Sequence, residues 1–303
     1  MKKWLIGIGI VLVVAVSCVY IFIPSSLVVS QTMLIGCNPY AAFRSMSVDS
    51  SREKWWPLHN AGGNVYRIAG RFRQQMRIEI ANGDRRDTGQ LYVLSQPDVD
   101  SAVLQWQCRL SMGSAPFTRV RRYREAMVIR RETGEILSRL RAFLEKKENV
   151  YGMKLHITMS KDSALVVTQW KSAVYPGTKD LYSVITKLRS YASSQQARET
   201  DPPMLHVRPN GNDGYEIMAA IPVNKRLKGS GDIFPRRFVP WKILVGEVKG
   251  GAYTAEQAMT QLRQYVEDHQ YPAMALPFQA LVTERDKEPD TSRWVTRVIV
   301  PVP

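Results

Sequence analysis

A chain of 303 residues with 45% apolar content has material for more than one core and is not a disordered polypeptide. Its 42 lysines and arginines against 27 aspartates and glutamates give a formal charge of +15, which favours anionic partners and does not select a fold. The four histidines show no metal-ligand spacing, and CxxC, HExxH, GxSxG and phosphate-loop patterns are missing, so neither a metal nor another cofactor is expected.

At the N-terminus, Met1-Lys-Lys precedes an uncharged run from Trp4 to Ile23 that stops at Pro24-Ser-Ser. Some twenty helical residues at ~1.5 Å rise cover the ~30 Å core of a bilayer, so residues 1–25 are expected to form a single transmembrane anchor. Lys2 and Lys3 would keep the N-terminus cytoplasmic and place the bulk of the chain in the periplasm or outside the cell. A cleaved signal peptide would show a shorter apolar region and a small-residue site before Pro24, and Ala15-Val-Ser-Cys18 only partly matches a lipoprotein signal. On the anchor reading a membrane lipid surface is a partner and nucleic acid is not. Cys37 and Cys108 would then lie in an oxidising compartment, either as a disulfide or as two buried thiols.

Ser26 to Ile35 reads as a strand and Asn38-Pro39 as the opening of a short helix, followed by the cluster Trp55-Trp56-Pro57. Alternating segments at Val65 to Ile68, Met76 to Ile80, Leu91 to Leu94 and Val103 to Leu110 are separated by Asn82-Gly83-Asp84 and Gln96-Pro97-Asp98, as in antiparallel hairpins. After Pro116 a long helix is expected, with Tyr123, Met127, Leu137, Leu140 and Phe143/Leu144 inward. Its arginines 119, 121, 122, 124, 130 and 131 form either a phosphate-binding patch or a solvated face. In this order of elements, with Trp55-Trp56-Pro57 as its best local motif, residues 26–152 resemble the START/SRPBCC (polyketide-cyclase-like) helix-grip domains. The resemblance implies an apolar cavity between the long helix and the sheet.

The rest of the chain repeats itself. Leu188-Arg-Ser-Tyr191, Pro202-Pro-Met204 and Tyr215 to Val223 recur in order as Leu262-Arg-Gln-Tyr265, Pro272-Ala-Met274 and Trp294 to Val302. Each copy reads as a β-run, an amphipathic helix and two further strands. The inward helix positions are Leu181, Ile185 and Leu188 in one copy and Ala258, Leu262 and Val266 in the other. The overall class is therefore α+β: an N-terminal transmembrane helix, a helix-grip domain, and a duplicated β-α-β-β module over residues 153–303.

Tyr175-Pro176, Tyr215 to Val223, Val245 to Gly251, Pro277-Phe278-Gln279 and Trp294 to Val302 make this module similar to the gyrase-inhibitor-like (GyrI-like) effector-binding domains, which are also attached to AraC- and MerR-type regulators. No helix-turn-helix segment precedes it. The resemblance implies an aromatic cleft for flat or apolar compounds, often cationic, with a carboxylate in the strand after the Pro-Phe turn. That position holds Gln279, which can neither supply charge nor act as a base. Candidate ligand-binding residues are Trp170, Tyr175, Tyr182, Glu216, Trp241, Glu247, Phe278, Gln279 and Trp294, with no catalytic residue assigned. The expected function is non-catalytic binding of an apolar or aromatic small molecule by a membrane-tethered protein. The alternatives are an envelope structural or interaction protein with degenerate pockets, and a GyrI-like hydrolase using Glu216 or Glu247 as base with Tyr182 or Tyr215 as proton donor.

Overall fold

The computed structural model describes residues 2–56, 63–211 and 214–303, with backbone only for Lys2, Lys3 and Leu5. Pro57 of the tryptophan cluster and His59 lie outside the described residues. The chain forms two compact units, Met1–Lys146 and Lys147–Pro303, each built on an antiparallel sheet.

In the first unit the order is α1 (Lys2–Phe22), β1 (Ser26–Ile35), α2 (Pro39–Ser47), α3 (Asp49–Arg52), β2 (Val65–Phe72), β3 (Gln75–Asn82), β4 (Arg85–Ser95), β5 (Ala102–Ser111) and α4 (Pro116–Leu144). Asn38 caps α2 by accepting the Tyr40 amide at 2.9 Å, and Pro39 supplies a first-turn residue that has no N–H to satisfy. The five strands run β1-β5-β4-β3-β2, and α4 packs against β1 and β5 through Ala126, Ile129, Thr133, Ile136, Leu137 and Leu140. That stripe is one residue out of phase with the expected one at its start. Tyr123 is 39% exposed, and Arg122 turns inward in its place.

Arg122 can do so because its charge is fully engaged. It donates to Asp87 at 2.9 and 3.0 Å, to Glu125 at 2.8 Å and to the Ser111 carbonyl at 3.0 Å. Arg119 bonds the Ile23 and Gly113 carbonyls. The arginine cluster is thus divided between Arg119 and Arg122, which have structural bonds, and Arg121, Arg124, Arg130 and Arg131, which are exposed.

The expectation of a transmembrane anchor is overturned: among the described residues no helix is long and apolar enough to cross a membrane. The last turn of α1 is tied to protein, since Tyr20 donates to the Ser114 carbonyl at 2.6 Å and carries the Arg119 guanidinium 4.4 Å above its ring. The uncharged run counted in the sequence therefore exceeds the stretch free of the domain. With the anchor go the single-pass localisation, the inferred topology, the lipid partner and the export argument against nucleic acid. Cys37 and Cys108 are both buried and neither is in a disulfide. Cys108 sits opposite Val29, whereas Cys37 lies beyond Ile35, whose partner is Ala102, so the two are at opposite ends of the strand pair and cannot bridge.

The second unit contains α5 (Lys147–Tyr151), β6 (Leu155–Met159), β7 (Ser163–Ser172), α6 (Thr178–Ser194), β8 (Met204–Pro209), β9 (Tyr215–Val223), β10 (Ile233–Phe238), β11 (Lys242–Lys249), α7 (Ala252–Asp268), β12 (Phe278–Leu281), a 3-10 turn at Thr291–Arg293 and β13 (Val295–Pro301). The sheet order is β10-β7-β9-β8-β12-β13-β11-β6, which reads as the same pattern from either end. The repeats are β7-α6-β8-β9 and β11-α7-β12-β13, joined where Leu205 of β8 faces Gln279 of β12. Both helices end alike: Gln196 and Gln270 take left-handed φ of 57° and 54°, and the next amides close onto Ala192 and Val266 carbonyls at 2.9 and 3.0 Å.

The single β-run expected from Leu155 to Val167 is two strands. β6 leaves its own repeat to pair with β11, and β10 crosses to pair with β7. β10 escapes a sequence reading because Pro235 interrupts it, yet an edge strand accommodates proline. Leu181, Ile185 and Leu188 of α6 are buried on Leu205, Ile217 and Ile221. On α7, Ala258 and Leu262 are buried as expected, while Tyr265 rather than Val266 takes the deepest place of the last turn.

Candidate ligand-binding site

Strand alternation gives the second sheet two different faces. Val166, Leu205, Ile217 and Ile221 turn toward the helices, while their neighbours Leu165, Val167, Met204, Met218 and Ala220 turn the other way. On the helix-free face these residues, with Trp241 and Phe278, line a cavity of about 420 Å³. Phe238 meets Phe278 edge-on at 5.6 Å, and the Trp241 indole N–H donates to the Val302 carbonyl at 2.8 Å, which fixes one wall. Polar groups are few. His206 bonds the Pro277 carbonyl through Nδ1 at 2.6 Å, Arg237 is paired with Asp162, and Arg236 is exposed over the Phe234 ring.

The nine expected residues do not converge on one cleft. Trp241 and Phe278 belong to the cavity. Trp170 packs against the α6 core instead. Tyr175, Tyr182, Gln279 and Trp294 gather on the helix side of the sheet. There Tyr175 meets Tyr215 at 5.7 Å, hydrogen-bonds Gln279, and is held protonated to higher pH mainly by burial. Burial likewise raises Tyr182, whose hydroxyl donates to the Thr283 carbonyl at 3.1 Å and accepts the Arg285 amide at 2.8 Å.

Glu216 and Glu247 are held by arginines. Glu216 accepts from Arg208 and Gln169, and the Arg208 hydrogen bond holds its carboxyl below the usual range. Glu247 accepts from Arg297 at 2.9 Å with about half of its side chain exposed. Neither forms a hydrogen bond with Tyr182 or Tyr215. Sequence reasoning missed Met204, Met218 and Ala220, whose only signal was their alternation with helix-facing residues, and missed Arg285, which lies in an irregular segment.

No protein-family model and no curated protein sequence matches this chain. Among solved structures, the C-terminal domain of EcmrR is similar at 15% identity over 50% of this chain and 98% of that one, with a TM-score of 0.44. SAV2435 bound to tetraphenylphosphonium is similar at 13% identity over 50% and 94%, with a TM-score of 0.33. A START superfamily protein from Mycobacterium smegmatis is similar at 11% identity over 39% and 97%, with a TM-score of 0.28. Likeness at these scores carries no functional argument, so the reading of the site rests on its own geometry.

Proposed function

We propose that the second unit is a non-catalytic binding module for an apolar or aromatic small molecule, held in the cavity on the helix-free face of its sheet. The observation that carries this reading is the cavity itself: about 420 Å³ with a wall of Leu165, Val167, Met204, Met218, Trp241 and Phe278. That volume and that ratio of apolar wall to polar groups suit a ligand of drug size. Gating by the methionines would let the wall adapt to different shapes, since an unbranched thioether repacks at low cost. In this proposal residues 153–303 are the effector-binding module and residues 26–152 a helix-grip domain.

The test is titration with N-phenyl-1-naphthylamine, a neutral dye that fluoresces in apolar sites. Wild-type protein should show saturable enhancement. Ala220→Trp should abolish it while leaving the far-ultraviolet circular dichroism unchanged, because the indole projects into the cavity from the middle of β9. Equal binding by the variant would place the dye elsewhere and remove the basis of the proposal.

A further inference from the structure

On the opposite face of the same sheet, Arg285 is 5% exposed. Its Nη2 donates to Thr296 Oγ1 at 2.8 Å, and its guanidinium carbon lies 4.9 Å from the Trp294 ring centroid. Nε is buried without an acceptor, and no carboxylate of the described residues forms an ion pair with this side chain. Arg122 of the first unit shows what the chain does elsewhere with a buried guanidinium, giving it Asp87 and Glu125. A guanidinium removed from water without a counter-charge is unfavourable. Burial also pulls Arg285 below its ordinary value, and the neighbours that partly offset this are the protonated hydroxyls of Tyr182 and Tyr175, which carry no charge.

A second polar atom is orphaned on the same side of the sheet. Gln279 is 6% exposed and its Oε1 has no donor, although its side chain meets Tyr175. Tyr175 therefore links the unpaired amide oxygen and the unpaired cation, and the surrounding wall is aromatic: Trp294 under the guanidinium, Tyr215 edge-on to Tyr175. A buried cation with a free donor repels a cationic ligand and matches an anion. The planar fork of the guanidinium matches a carboxylate in particular.

We infer that Arg285 and Tyr175, with the Gln279 amide turned over so that Nε2 rather than Oε1 faces the site, form an anion site on the helix side of the sheet that takes the carboxylate of a planar aromatic acid. This site is separate from the apolar cavity and does not depend on it. It also reverses the charge preference that the resemblance to GyrI-like domains implies, because the expected carboxylate is an amide and the buried charge is positive.

Benzoate and benzamidine, flat isosteres of opposite charge, are the probes, used on the full chain by calorimetric titration and thermal shift. Benzoate should bind saturably and raise Tm, with no response to benzamidine. Arg285→Lys keeps the charge but loses the fork and should weaken benzoate at least tenfold, while Arg285→Met should abolish binding. Gln279→Glu supplies an internal counter-ion, so it should raise the Tm of the ligand-free protein and eliminate the benzoate response. Equal responses to the two probes, or a wild-type benzoate response in Arg285→Met or Gln279→Glu, would overturn the site. If Arg285→Met does not fold, the Gln279→Glu result decides. Benzoate should not displace N-phenyl-1-naphthylamine; displacement at the same affinity would place the carboxylate in the cavity and sink the Arg285 assignment, without touching the proposal for the dye site.

Discussion

Ser160 and Trp241 are bonded twice where the two repeats exchange strands: the Ser160 amide donates to the Trp241 carbonyl at 2.8 Å, and the Trp241 amide donates to Ser160 Oγ at 2.8 Å. Ser160 follows β6 and Trp241 precedes β11, so this pair continues the β6–β11 ladder at one end of the eight-stranded order and holds a cavity wall. Ser160→Ala leaves the Trp241 amide without its acceptor and should cost about 1 kcal/mol in urea unfolding. It should also weaken binding of the neutral dye, because Trp241 loses one of its restraints. Unchanged affinity would show that the indole bond to Val302 suffices.

The paired left-handed glutamines offer a test of the duplication through stability. Gln196 and Gln270 occupy helix-ending positions with φ of 57° and 54°, a region that glycine enters without the Cβ penalty. Gln196→Gly and Gln270→Gly should each stabilise the protein by up to about 1 kcal/mol, offset in part by the greater freedom of glycine in the unfolded chain. Thermal unfolding checks this, and the two gains should add because the sites share no partner.

Gly246 should tolerate no side chain. A Cβ there would come within 2.6 Å of Met153 Sδ and 3.2 Å of both Leu155 and Leu262. Its backbone is ordinary, so the cost of Gly246→Ala is overpacking alone, about 1–3 kcal/mol. Met153→Ala in the same chain should recover part of that loss, which a double-mutant cycle would read.

Arg122 is expected to be the most sensitive charge of the first unit. Arg122→Met leaves Asp87 without its cation, while Glu125 keeps Arg85 at 2.8 Å, and should destabilise that unit by about 3 kcal/mol. A urea transition resolved for the first unit would show the loss.

Cys108 gives a pH signature. Burial, aided by the Asp87 charge, pushes its thiol up to about 12. The unfolded thiol ionises near 8.5 while the folded one keeps its proton. Its contribution to stability is thus complete below the unfolded value and is lost as pH rises through that window toward the folded value. Folded protein should resist iodoacetamide at this position at pH 9, where the unfolded chain reacts readily, as mass mapping of the alkylated cysteine would report.

Much of the architecture was legible in the amino-acid order because it is local. The duplication showed in recurring landmarks, and Leu181, Ile185, Leu188 and Leu262 declared their helix faces through three-to-four spacing. The hairpins of the first sheet followed from alternation and turn residues. The start of α4 misled, since a paired Arg122 displaced the apolar Tyr123 from the inward face.

Tertiary structure alone decided the rest. Phe278 and Gln279 are adjacent and were assigned to one cleft, yet a strand sends neighbours to opposite faces, so one lines an apolar cavity and the other stands on the side of the sheet that holds a buried cation. Composition does not show which face the helices cover; the packing of α6 on Ile217 and Ile221 does. The exchange of β6 and β10 between repeats depends on pairings across some eighty residues, and no local pattern encodes them. Arg285 carries no mark of its isolation in the sequence, because the lack of a counter-ion belongs to the three-dimensional arrangement around it and not to its neighbours in the chain.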